Sequence, residues 1–170
     1  HIWCCLGMAG YMVLQLMKKL FGTNEFRYRL KMNAEKIVDQ DWEKPPIGST
    51  FKNSSRPISC TSKDLDFIKL KATMVLFILD RRMIKTERSF GMSRVLPKIF
   101  LQAMSGDLTN NSLSASHFQY ICERGNRNKL EYFFQQWVYG SGVPIFRVTQ
   151  RFNKKRMMGE MGIRQCQAHE

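Results

Sequence analysis

Three histidines, five cysteines and 14 acidic residues are the groups in this 170-residue chain that could ligate a metal or move a proton. His1, His117 and His169 stand in no HExxH or comparable ligand spacing, so they cannot assemble a complete zinc site. Cys4 and Cys5 are adjacent, and on a helix their side chains diverge by about 100°, which suits buried thiols better than joint ligands. Cys60, Cys122 and Cys166 complete an odd set without a CxxC pair, which speaks against a disulfide framework and for a reducing compartment. There is no Gly-rich phosphate loop, no GxSxG, and no Cys or Ser with an evident base. No carboxylate stands out as half of an acid–base pair, His117 reads as a surface or satisfied residue, and no cofactor is implied.

Charge offers more than catalysis does. Lys and Arg number 27, giving a formal charge of +13, which suits phosphate, acidic protein surfaces or anionic membrane. The densest stretch is Arg147 to Arg156, with the run FNKKR. Arg151, Lys154, Lys155 and Arg156 are candidates for a sequence-independent phosphate contact or a partner contact, with a solvated hairpin tip as the plain alternative.

The elements that must carry these residues follow from periodicity. Trp3, Leu6, Gly7, Gly10, Leu14, Met17 and Phe21 form one apolar helix face ending near Gly22, and Gly7, Ala9 and Gly10 would admit another backbone closely. This uncharged run is short of the roughly 20 residues a membrane span needs. It opens the chain with no initiator Met, as in a piece of a longer protein. Thr23 or Asn24 would cap a second, antiparallel helix with Phe26, Leu30, Ile37 and Val38 inward. Asp41 to Lys63, with Pro45, Pro46, Gly48, Ser54, Ser55 and Pro57, reads as a flexible loop.

A third helix from Ser62 or Asp64 carries Leu65, Ile68, Ala72, Val75, Leu76, Leu79 and Met83, with Arg81 and Arg82 at its C-terminal end. A fourth covers roughly Gly91 to Met104, where Pro97 predicts a late start or a kink. Ser114 would cap a fifth through Arg124, and Asn126 or Asn128 would start a sixth, in which Leu130, Phe133, Phe134 and Trp137 face inward. Gly140, Gly142 and Pro144 then stop the helix, and Ile145, Phe146 and Val148 begin a strand. From Phe152, a turn near Asn153–Lys154 and a run through Ile163 predict a hairpin weakened by Gly159 and Gly162.

Two segments together resemble a known family. WCCLGMAGY at Trp3 to Tyr11 and FFQQWVYGSGVPIFRV at Phe133 to Val148 resemble the WLNEGFA and W-x-x-x-x-G-x-P-x-I-x-V segments of the M1 zinc aminopeptidase fold; KATMVLFIL at Lys71 to Leu79 is similar to the KGAxVLxML helix between them. The second segment matches at Trp137, Gly142, Pro144, Phe146 and Val148. The resemblance implies a mainly α chain, the C-terminal helical half of an aminopeptidase-like (thermolysin-like) domain over residues 1–140, with 41–63 as a loop. The junction and the first strands of a β-sandwich-like domain would occupy 141–170.

The same resemblance implies lost chemistry. Active members ligate zinc through the Glu of WLNEGFA, here Leu6, and stabilise the oxyanion with a Tyr whose position is Lys69, with Ala72 in place of Gly. KKLFG, NEFRYRLK, FNKKR and IRQ resemble a non-catalytic branch, the TBP-associated proteins of the general transcription factor TFIID; Gly159 departs from that branch. Its implications are a nuclear scaffold supporting preinitiation complex assembly, with other TFIID subunits, notably TBP-associated factors 8 and 1, as partners. Core-promoter DNA near the initiator is a further implied partner, with no membrane. The alternative is a zinc aminopeptidase of the M1 family.

Overall fold

The computed structural model describes residues 2–41, 44–48, 62–84, 90–108, 112–126 and 128–166. Among these it forms five helices and one two-stranded antiparallel sheet. Most of the expected Asp41–Lys63 loop, including Ser54, Ser55, Pro57 and Cys60, lies outside the described residues.

Helix α1 (Ile2–Gln40) is two arms joined at Gly22, whose φ of 84° and ψ of −179° break the helix at one residue. Only glycine adopts that backbone without strain. The arms fold back on each other: Gly10 and Leu14 on the first line the same groove as Arg29 and Asn33 on the second. In a straight helix Gly10 and Asn33 would stand about 34 Å apart. The two antiparallel helices expected from the sequence are therefore present. Phe21 and Val38, expected inward, are exposed: Phe21 lies beside the bend at Gly22, and Val38 lines the open cleft together with half-buried Ile37.

Helix α2 (Ser62–Met83) lies against both arms. Gly7 meets Ala72, where an added Cβ would come within 3.0 Å of the Ala72 Cβ and 3.2 Å of its backbone, and Gly10 packs onto the Thr73 side chain. Ala9 points to solvent and takes no part in this crossing. Ala72, Val75, Leu76, Leu79 and Met83 are buried, as their spacing predicts.

Helix α3 (Met92–Ser105) starts just after Gly91 and runs through Pro97, so the late start expected from Pro97 does not occur. Its N-terminus is held by Asp80 of α2, whose Oδ1 accepts the Met92 N–H at 2.8 Å. A carboxylate at a helix N-terminus satisfies an orphan donor and complements the dipole. Helix α4 (Ala115–Asn126) is capped as expected, with Ser114 Oγ accepting the His117 N–H at 3.1 Å. Helix α5 (Glu131–Trp137) begins only after Leu130. The start expected at Asn126 or Asn128 fails because α4 extends through Asn126.

One apolar core joins all five helices: Trp3 and Met8, Leu76 and Leu79, Met92 and Ile99, Phe118 and Cys122, Phe134 and Val138. Trp3 meets Phe118 edge-on at 6.0 Å. Lys44 to Gly48 belongs to the body as well, since Ile47 is buried and the Gly48 N–H donates to Val138 O at 2.9 Å. Trp137 stacks on Phe133 at the rim and stays 41% exposed.

After Gly142, at φ 85°, the chain becomes extended and forms β1 (Phe146–Asn153) and β2 (Met158–Gln165). Their register pairs Phe146 with Gln165 and Asn153 with Met158. Residues 154–157 form the turn, with Met157 at φ 50°. Gly159 and Gly162 both sit within β2 without breaking it.

Candidate nucleic-acid and partner interface

The hairpin carries the expected basic residues on a defined frame. Alternation along a strand sends neighbouring side chains to opposite faces. Phe146, Val148 and Phe152 thus share one face with Met161 and Ile163, all between 57% and 67% exposed. Arg147, Thr149 and Arg151 share the other with Arg164, Gly162 and Glu160. Arg151 lies opposite Glu160 and pairs with it at 3.3 Å, while Asn153 Nδ2 donates to the same carboxylate at 2.9 Å. Lys154, Lys155 and Arg156 stand exposed in the turn, where the Arg156 N–H donates to Asn153 Oδ1 at 3.3 Å. Of the four basic residues singled out in the sequence, three are therefore at the tip and one, Arg151, is on the ribbon. Arg147 and Arg164 belong with Arg151 on the same face; their signal was the strand register, which pairs them across the ladder.

A second concave region lies between the helices and the hairpin. It encloses about 580 Å³, lined by Ile37, Met74, Ile78, Trp137, Pro144 and Phe146, with Asp41 and Lys71 in its wall. Lys71 Nζ donates to both carboxylate oxygens of Asp41, at 2.7 and 2.8 Å. The Trp137–Pro144 junction motif thus forms one side of this cleft.

The two positions marked by the resemblance, Leu6 and Lys69, lie apart in different surroundings. Leu6 packs partly buried against the core. Lys69 is exposed one turn before Thr73 and lines a groove of about 280 Å³ with Gly10, Met17, Arg29, Asn33 and Asp66. His117 is occupied by Gln102, 3.2 Å from its Nε2. Burial pushes the Cys4 thiol up to about 12 and raises Cys122 and Tyr11 as well; Tyr11 is raised further by the Asp80 carboxylate beside it. Neutral, enclosed thiols are poor nucleophiles and poor metal ligands. Among the described residues no group of three or more His, Cys, Asp or Glu side chains could hold a metal ion, and no helix is long and apolar enough to cross a membrane.

No protein-family model matches the chain. Individual relatives do. Over 168 residues, 99% of its length, it is 74% identical to "Transcription initiation factor TFIID subunit 2" of Saccharomyces cerevisiae. The chain is a homologue of part of TFIID subunit 2. The TFIID subunit 2 of Schizosaccharomyces pombe is 48% identical over 169 residues, and that of Gallus gallus 25% over 184 residues. The chain spans only 12%, 14% and 16% of the respective lengths of these relatives.

Proposed function

We propose that this chain is part of a non-catalytic scaffold subunit of the transcription initiation factor TFIID, acting in the nucleus to support RNA polymerase II preinitiation complex assembly. The observation that carries the reading is the 74% identity to a TFIID subunit 2 along 99% of the chain. Its partners are other TFIID subunits, TBP-associated factors 8 and 1 among them by the family resemblance. Core-promoter DNA is a further partner, approached through Arg151, Lys154, Lys155 and Arg156, whose exposure and shared hairpin support the assignment.

The fold we assign is aminopeptidase-like, with residues 1–140 as its helical part and 141–170 as the junction and start of a β-domain. The helical body, the Trp137–Pro144 junction and the following hairpin support it. Leu6 and Lys69 stand where zinc-ligand Glu and oxyanion-stabilising Tyr would be needed, and neither side chain can do that work.

Affinity purification of the tagged full-length protein from nuclear extract tests the reading. TBP and TBP-associated factors should co-purify with it in fixed ratio. Their absence would overturn the proposal, as would stoichiometric zinc together with aminopeptide hydrolysis by the purified protein.

A further inference from the structure

The β1–β2 hairpin contains a pair that ought to repel. Arg147 and Arg164 lie directly opposite each other in the β1–β2 ladder. Like charges at directly opposed positions destabilise a sheet. Among the described residues no carboxylate forms an ion pair with either, and the hairpin's one carboxylate, Glu160, is engaged by Arg151 and Asn153. Two arginines directly opposed in the ladder, with no ion-paired carboxylate among the described residues, can together receive an external anion.

The rest of that face is shaped to match. Between the arginine pair and Arg151 lie only Thr149 and Gly162, so the floor is low. A Cβ at Gly162 would come within 2.8 Å of Thr149 Oγ1, and the ribbon keeps this spot small. The cations run from Arg147 and Arg164 past Arg151, about 13 Å along the strand at roughly 3.3 Å per residue, and on to Lys154, Lys155 and Arg156 at the turn. Among the described residues none covers them, and all six are exposed. A charge array strung along an open ribbon fits an extended polyanion rather than a small one, and the arginine fork matches phosphate oxygens two at a time.

We propose that the Arg147–Arg164 pair, with Thr149, Gly162 and Arg151, binds the sugar–phosphate backbone of double-stranded DNA, and that the turn lysines are auxiliary to it. This deepens the DNA assignment above and rests on it. It moves the principal contact from the hairpin tip to its basic face.

The test titrates the full-length protein with a duplex oligonucleotide at several salt concentrations. Each lost phosphate contact should flatten the slope of log K against log salt by about 0.9, so R147Q/R164Q should flatten it by about 1.8. K154Q/K155Q/R156Q should weaken binding less than R147Q/R164Q does. R147K/R164K, which keeps the charge but loses the fork, should retain the slope and bind more weakly.

Because the glutamine change removes a repulsive pair, amide hydrogen-exchange protection across β1 and β2 should be kept or raised. Should that variant instead lose its protection, R147K/R164K decides alone: affinity equal to the parent protein overturns the proposal, and weakened binding supports it. An unchanged slope in a folded R147Q/R164Q variant also overturns it, as does the absence of duplex binding by the parent protein. If the variant keeps its slope but no longer co-purifies with TBP, the face binds protein, and this inference falls while the TFIID reading stands. If the parent protein fails to co-purify with TBP yet shows the arginine-dependent slope, the TFIID reading falls and the polyanion face remains.

Discussion

Lys71 reaches across from α2 to place its ammonium 2.7 and 2.8 Å from the two carboxylate oxygens of Asp41, and the two side chains are only 9% and 1% exposed. The pair ties the end of the second α1 arm to the middle of α2, where both residues line the cleft beneath the Trp137–Pro144 junction. A buried ion pair need not add net stability, because desolvation offsets the attraction. Removing one partner is different, since it strands a charge.

Lys71→Met and Asp41→Ala should each therefore cost about 3–5 kcal/mol. The double replacement D41L/K71M should recover most of that loss. Local hydrogen exchange in α1 and α2 of the full-length protein would measure it. A double variant whose loss equals the sum of the two single losses would show that the pair does not act as a unit.

Gly10 stands where Thr73 crosses it, and an added Cβ would run into the Thr73 hydroxyl, which itself donates to Lys69 O at 2.7 Å. In an open helix, Gly to Ala should gain up to about 1 kcal/mol. Here Gly10→Ala should instead destabilise by about 1–3 kcal/mol through overpacking, and G10A/T73A should restore stability. Protease resistance of the α1–α2 region would report both changes.

Alkali should loosen the core in a defined direction. Burial raises the Cys4 thiol from 9.0 to about 12, so the folded protein holds a proton that the unfolded chain gives up. The contribution is complete below pH 9 and lost between pH 9 and 12, at about 1.4 kcal/mol per pH unit. Cys122 and Tyr11, also raised, act with the same sign. Unfolding free energy followed from pH 8 to 11 should fall. Over the same range exposed Cys5 should alkylate readily and Cys4 should not react until the core opens.

What could be read directly from residues was local. Ser114 as a cap, the stripe from Ala72 to Met83, the reversal at Gly22 and the helix-to-strand change after Trp137 each depend on neighbours within a few positions. The short matches KKLFG, NEFRYRLK, QQWVYGSGVP, FNKKR and IRQ pointed to the TFIID branch to which the relatives belong, because specific residue types in order are informative without coordinates.

Tertiary structure alone decided which polar residues go inside and what the basic hairpin presents. Asp41, Lys71, Thr73 and Asp80 are buried because each finds a partner from another part of the chain or turn, and such a partner is invisible to periodicity. Phe21 and Val38 looked like core and are not, because the bend at Gly22 sets which side of each arm meets α2. Arg147 and Arg164 are separated by a full strand and a turn in the sequence, and only the register of β1 against β2 makes them face each other. Composition had already made the chain basic; pairing across the ladder turned part of that charge into a surface with a direction.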